Sequence, residues 1–255
     1  MSTWVFLRGL TRDSRHWGEF PGIFRAAIQD ADIVTLDLPG NGLLNALRSP
    51  ASVAAMAQHC RAELQARNIR PPYYLLAMSL GAMVAVDWAD SHPQELAGCV
   101  YINTSLRPFN RFYQRLRPRN YAALLQVALP CGSAIAREQI ILRITSNLAG
   151  PRTPILEAWS AWRNQHPVAP ANALRQLWAA NRYRAPQSKP AVPLLLLASA
   201  ADNLVSPQCS RRLAHCWETA YAEHPAAGHD LPLDDGAWVA RQVKEWLRVM
   251  NTPGS

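Results

Sequence analysis

Short apolar runs alternate with longer amphipathic stretches along most of the chain. Such alternation is typical of a parallel sheet built from βαβ units. Ser49, followed by Pro50, is the expected N-cap of the second helix. The predicted strands are Thr3–Arg8, Asp32–Leu38, Tyr73–Met78, Gly98–Asn103, Val192–Ala200 and Thr219–Glu223. The predicted helices are Trp17–Ile28, Ala51–Asn68, Leu80–Ser91, Pro207–Cys216 and Asp234–Val249.

The alternation stops after Asn103. Residues 105–185 carry helical patterns separated by Pro, Gly and Asn, with no convincing strand. The predicted helices here are Arg111–Leu116, Tyr121–Leu129, Ala134–Leu148, Pro154–Gln165 and Ala171–Asn181. We therefore predict an α/β fold with a mostly parallel sheet covered by helices on both faces. Residues 1–104 and 186–255 form this core, and residues 105–185 form an inserted helical cap.

Charge is concentrated in the predicted cap. The whole chain has a net charge of +8, but residues 105–185 hold twelve arginines against only Glu138 and Glu157, a balance of +10. This excess suggests an acidic partner surface, such as an acyl carrier protein. The alternative is an Arg-rich helix surface that only faces solvent. Nucleic acid is not favoured as a partner, because no nucleic-acid-binding motif accompanies the charge.

The cysteines indicate neither disulfides nor a metal centre. Five of them are scattered without metal-ligand spacing, and we expect buried free thiols: Cys60, Cys99, Cys131, Cys209 and Cys216. The sequence also contains no apolar stretch long enough to span a bilayer, and no secretory signal pattern precedes the first apolar run. We therefore expect a cytoplasmic protein that requires no metal or cofactor.

Ser79 is the strongest candidate for chemistry. In the stretch LLAMSLGAM it follows a predicted strand, precedes a predicted helix and is flanked at two positions on either side by Ala77 and Gly81. Strand, sharp turn and helix in that order are typical of the nucleophile elbow, in which small flanking residues let the two backbones approach closely. The alternative is an ordinary serine that caps a helix.

A serine nucleophile needs a base and an acid to orient that base. Asp202 and His229 each follow the end of a predicted strand, and the chain order Ser, Asp, His is that of hydrolases with this elbow. Taken singly, Asp202 also fits a turn and His229 a surface loop. His224 and Asp230 are competitors: His224, which is followed by a proline, is expected to be structural, and Asp230, which is adjacent to His229, is not expected to orient it. The remaining histidines are predicted to be structural or exposed: His16, His59, His92, His166 and His215.

An oxyanion formed at Ser79 needs two donors. The backbone N–H of Leu80 is the first candidate, and the N–H of Leu10 is the second, because Gly9 lets the turn after the first strand bend toward the site. A plain strand-ending turn is the alternative. The substrate pocket is predicted to include two core residues and two cap residues: Arg8, Met78, Trp159 and Trp162.

With these residues placed, the chain resembles the α/β-hydrolase superfamily along nearly its full length. FLRGLTRDSRHW resembles its oxyanion segment, LDLPGNG is similar to its D-x-P-G-x-G loop, and AMSLGAM resembles its elbow. The chain is similar to small bacterial serine esterases with a helical lid, including the carrier-protein methyl esterase of biotin synthesis and the lyase of menaquinone synthesis. Arg8 replaces the usual histidine, and Met83 replaces an arginine of the lyase branch.

This resemblance implies a serine hydrolase that cleaves carboxylic esters through an acyl-enzyme, with Ser79, Asp202 and His229 as the triad. A small-molecule ester of short or medium acyl length is the default substrate. One alternative is a thioesterase or carrier-protein ester hydrolase whose Arg-rich cap docks an acidic partner. An alternative of another class is a member of the fold that binds a ligand without catalysis.

Overall fold

Six parallel strands form the central sheet. The computed structural model describes residues 2–128, 132–148 and 152–251. The strands are β1 (Ser2–Leu7), β2 (Ala31–Leu36), β3 (Tyr73–Met78), β4 (Leu96–Ile102), β5 (Leu194–Ser199) and β6 (Ala220–His224). Their order is β2-β1-β3-β4-β5-β6, and every neighbouring pair is parallel. The predicted α/β fold with a parallel sheet is confirmed.

Helices follow the strands and fill the insertion. They are α1 (Phe20–Ala27), α2 (Val53–Ala66), α3 (Leu80–Ser91), α4 (Phe112–Arg115), α5 (Tyr121–Ala128), α6 (Ala134–Thr145), α7 (Arg152–Gln165), α8 (Pro170–Arg182), α9 (Gln208–Cys216) and α10 (Leu231–Asn251). Helix α10 contains a kink at Asp235. Within the described residues, no helix is both long and apolar enough to cross a membrane.

Apolar side chains cover both faces of the sheet. Because successive strand residues point to opposite faces, Val5 and Leu7 of β1 pack with α2, α3 and α9, while Trp4 and Phe6 pack with α1 and α10. All four side chains are fully buried. The near-continuous apolar character of the strands is therefore explained by helices on both sides.

The two ends of the helical insertion lie side by side. The backbone N–H of Ala185 donates to the carbonyl of Arg107 over 2.7 Å. Between them the helices have a small apolar core of their own, which includes Ile141, Leu142 and Trp159. The division at residues 105–185 stays a prediction, and this arrangement supports it.

Local differences from the predicted elements have physical reasons. Ser49 is not the cap of α2, because its hydroxyl donates to the Pro39 carbonyl over 2.5 Å; Ser52 caps the helix by accepting from Ala55 N–H. The expected start of α1 at Trp17 is a separate 3-10 turn, Ser14–Trp17. Cys60, Cys99 and Cys209 are buried thiols, but Cys216 is exposed at the end of α9. Leu129 and Cys131 lie outside the described residues.

Candidate active site

Ser79 lies in the turn between β3 and α3. Its backbone has φ 53° and ψ −116°, a conformation in the left-handed region that residues with a side chain rarely adopt. Gly81 allows this turn, because a Cβ there would lie 2.5 Å from the Leu7 carbonyl oxygen and 2.6 Å from that of Arg8. The close approach of α3 to β1 thus explains the small residue at this position.

Asp202 and His229 meet in the loops after β5 and β6. His229 Nδ1 lies 2.8 Å from Asp202 Oδ2, and both side chains are buried. The other oxygen of Asp202 accepts the backbone N–H groups of Leu204 (2.7 Å) and Val205 (2.9 Å). An ionised carboxylate only accepts hydrogen bonds, so the Nδ1–H of His229 donates and its Nε2 is left able to take a proton.

Opposing effects set the pKa of His229. Burial lowers it, but the attraction and hydrogen bond of Asp202, helped by Asp230, outweigh burial and raise the pKa above its ordinary value. Asn103 fixes the loop, since its Nδ2 donates to the His229 carbonyl over 2.8 Å and its Oδ1 accepts from Ser199 N–H over 2.9 Å. Asp202 therefore holds the imidazole, and Asn103 holds the backbone of the same residue.

Ser79 and His229 line one cavity of about 350 Å³, which residues of the predicted cap also line. Of the predicted pocket residues, Arg8, Met78 and Trp162 line this cavity. Trp159 lies behind the wall in the core of the cap, because its ring packs against Ile141 and Leu142. Apolar cap residues supply much of the remaining surface, including Leu116, Leu124, Ile141, Ile144, Leu174 and Leu177.

The predicted oxyanion loop lies against Ser79. A Cβ on Gly9 would lie 3.2 Å from the Ser79 Cβ, and Leu10 lines the cavity. The next N–H, of Thr11, donates to Gln176 Oε1 of α8 over 2.9 Å. Leu80 is the first residue of α3, so its N–H has no partner within the helix. A cap helix therefore holds the loop that approaches the serine.

Arg8 forms a buried ion pair with Asp230, the carboxylate that competed with Asp202 for the role of orienting His229. Its Nη1 and Nη2 donate to the two carboxylate oxygens of Asp230 over 3.0 and 2.6 Å, and its guanidinium lies 4.8 Å from the Trp17 ring centre. The attraction of Arg8 outweighs burial and lowers the pKa of Asp230. His224 accepts from Ala227 N–H over 2.9 Å, in a turn after β6. Asp230 and His224 are thus occupied by other partners.

A buried group of charged residues on the cavity wall was missed by sequence reasoning. Arg12 Nη1 donates to Glu138 Oε2 over 2.8 Å and lies 2.9 Å from His16 Nε2. Arg163 Nε donates to the other oxygen of Glu138 over 2.6 Å. The available signal was the charged run TRDSRH, which begins a few residues after a buried strand, whereas the sequence around Glu138 offered none.

The described part of the chain contains no cluster of side chains suited to bind a metal ion. No group of three or more His, Cys, Asp or Glu side chains there is placed to hold a metal ion. The site itself offers a serine in a strained turn and a buried imidazole–carboxylate pair, and the serine and the imidazole line the same cavity.

Sequence comparison assigns the family. Residues 4–242 match the profile of the alpha/beta hydrolase family. The chain belongs to this family. A biotin biosynthesis bifunctional protein, BioHC from Teredinibacter turnerae, is 32% identical over 105 residues, which cover 41% of this chain and 17% of that protein. The chain thus spans only a small part of that relative's length.

Solved structures share the fold. A thermophilic esterase from Thermogutta terrifontis superposes with a TM-score of 0.73 at 19% identity, covering 99% of this chain and 91% of that one. An enol-lactonase from Burkholderia xenovorans LB400 gives a TM-score of 0.76 at 16% identity, with 97% and 91% covered. At these identities the similarity extends to the fold alone. Family membership supports a hydrolase role.

Proposed function

We propose that this alpha/beta hydrolase is a serine hydrolase that cleaves carboxylic esters. One observation carries the proposal: the 2.8 Å contact between His229 and Asp202 lies beside the cavity that Ser79 and His229 both line. The positive φ of Ser79 supports a nucleophile, because a serine that only caps a helix typically has extended backbone and does not need this strained turn. The names of the structural neighbours, an esterase and a lactonase, agree with this proposal.

The proposed reaction proceeds in two halves. His229 Nε2 takes the proton of Ser79, whose Oγ attacks the ester carbonyl, and the N–H groups of Leu10 and Leu80 donate to the resulting oxyanion. Collapse breaks the bond to the alcohol oxygen, which receives the proton from His229. Water then attacks the acyl-enzyme, again losing its proton to His229, and Ser79 leaves with that proton. Asp202 stabilises the imidazolium in both halves.

A fluorophosphonate probe tests the proposal. The folded protein should be labelled, and Ser79→Ala should lose both the label and ester hydrolysis because no other group replaces the nucleophile. Ser91→Ala is the matched control, since Ser91 is an exposed serine at the end of α3. A folded native protein that is neither labelled nor active on esters would contradict the proposal and support a ligand-binding protein.

Carrier-protein esters or thioesters are a second candidate substrate class. Six cap arginines have exposed side chains: Arg111, Arg119, Arg143, Arg152, Arg182 and Arg184. Exposed positive charge of this kind suits an acidic carrier protein. The relative from Teredinibacter turnerae, whose name places it in biotin biosynthesis, makes this class worth testing beside small esters.

A further inference from the structure

The charged residues of the cavity wall are unequally paired. Arg8 is matched by both oxygens of Asp230. Asp13, which also lines the cavity, is matched by Arg15, whose Nη2 lies 2.8 Å from Asp13 Oδ2. These two pairs are neutral overall.

Two arginines of the cavity wall share one carboxylate. Glu138 accepts from Arg12 with one oxygen and from Arg163 with the other, and all three residues line the cavity. Glu138 is 1% exposed and Arg12 is 8% exposed. Because His16 has its pKa lowered to about 4 by burial and by the charge of Arg12, it is neutral near pH 7. One positive charge in this group therefore has no counter-charge.

Arg12 also has an unused donor. Its Nη2 is buried, and no group in the described part of the chain accepts a hydrogen bond from it. The guanidinium carbon lies over the Trp159 ring, 4.3 Å from its centre, and this contact helps to hold it in position. A buried charge without a full set of partners is costly, and the cost is offset when an anion binds. Guanidinium groups match carboxylates best, because their planar donors suit two oxygens.

We propose that Arg12 and Arg163, which share the single carboxylate of Glu138, form a subsite for a carboxylate group carried by the substrate. The loop that carries Arg12 packs beside the candidate nucleophile, since the backbone N–H of Arg12 donates to the Gly9 carbonyl over 3.2 Å and Gly9 lies against Ser79. The proposal rests on the proposed function and narrows it to esters that bear a second, anionic group.

Binding to the Ser79→Ala protein tests the subsite without turnover. Calorimetry compares monomethyl glutarate, which carries a carboxylate in its acyl part, with dimethyl glutarate, which is neutral. A second pair, 3-acetoxypropanoate and its methyl ester, places the carboxylate in the alcohol part. At least one anionic ligand should bind about tenfold or more tightly than its neutral partner. Equal binding within both pairs would overturn the proposal, whatever any further variant does.

Two substitutions should shift this preference in opposite directions. In the Ser79→Ala background, Arg12→Gln should abolish the preference for the anionic ligand, because it weakens the binding of that ligand alone. Glu138→Gln should increase the preference, because it removes a carboxylate that competes with the ligand for the two arginines. Arg61→Gln is the matched control, since it breaks a partly buried ion pair with Glu95 away from the cavity. If Arg12→Gln keeps the full preference, or if Glu138→Gln reduces it in a folded protein, the proposal is wrong.

The outcome also separates this proposal from the proposed function. A protein that is labelled by a fluorophosphonate and hydrolyses neutral esters, yet binds both members of each pair equally, lacks the subsite but remains a serine hydrolase. A protein that prefers the anionic ligands but is neither labelled nor active has the anion site without the proposed chemistry.

Discussion

The imidazole of His229 is buried between two carboxylates and one guanidinium. Burial favours its neutral form, Asp202 and Asp230 favour the charged form, and Arg8 opposes them. Because the carboxylates prevail, the pKa lies above its ordinary value. A general base acts only when neutral, so kcat/KM for an ester should rise with pH through this raised pKa.

Asp202→Asn should move that rise to lower pH. Without the Asp202 carboxylate, the main effect that raises the His229 pKa is gone, while burial still lowers it. The amide also no longer favours the Nδ1–H form, so kcat should fall on the order of 10³- to 10⁴-fold. The measurement is kcat/KM from pH 4 to 9, with the exposed Asp90→Asn as control. An unchanged midpoint in Asp202→Asn would show that another group orients His229.

The buried Arg8–Asp230 ion pair should affect the stability of the fold. Asp230→Asn leaves Arg8 as a buried charge without a counter-ion, which should lower the free energy of unfolding by about 3–5 kcal/mol at pH 7. Because the folded pKa of Asp230 is lowered, the pair stabilises above the ordinary carboxylate pKa, and this contribution is lost as the pH falls through the folded pKa.

Urea unfolding measures the loss in free energy of unfolding of Asp230→Asn, and Asp32→Asn, at an exposed aspartate, is the control. The double variant Arg8→Met, Asp230→Leu should recover most of the loss, because it removes both charges and retains apolar volume. A double variant that is less stable than Asp230→Asn alone would contradict an uncompensated charge as the cause.

At the scale of elements, the contact of α3 with β1 positions the nucleophile. Gly81→Ala should destabilise the fold and lower esterase activity together, because its Cβ would meet backbone oxygens of Leu7 and Arg8 that cannot rotate away. Gly22→Ala is the matched control. That glycine lies inside α1 with open space around it, so alanine should raise stability by about 0.5–1 kcal/mol. Thermal midpoints and kcat of both variants decide the matter; a neutral Gly81→Ala would refute the packing argument.

Elements also explain which parts of the site the sequence could predict. Ser79, Asp202 and His229 each follow a strand, and the carboxyl ends of parallel strands share one edge, so local patterns were enough to bring them together. The contact of Arg12 with Glu138 joins residues 126 positions apart, on a loop and a cap helix. Nothing in the sequence around either one fixes how a cap helix packs. Ser49 and Ser52 show the same limit, because tertiary contacts decided which serine capped α2.

On the scale of the whole molecule, the charge of the cap is divided between its inside and its surface. Some arginines serve the fold: Arg115 Nη2 donates to the Ala180 carbonyl over 2.6 Å, Arg175 Nε to that of Ser49 over 2.5 Å, and Arg163 to Glu138. The net charge of +10 therefore overstates the charge that a partner would meet. The six exposed arginines remain as the surface available for docking.

Salt dependence distinguishes a docking surface from a solvated one. If the exposed arginines steer an acidic carrier protein, kcat/KM for an acyl carrier substrate should fall several-fold between about 0.05 and 0.5 M salt, because screening shortens the reach of surface charges. A small neutral ester, which enters the cavity without such steering, serves as the control and should change little. Reversing Arg143 and Arg152 to Glu should lower kcat/KM for the carrier substrate alone. Equal salt effects on both substrates would mean that the arginines only face solvent, and the small ester would then stand as the better candidate substrate.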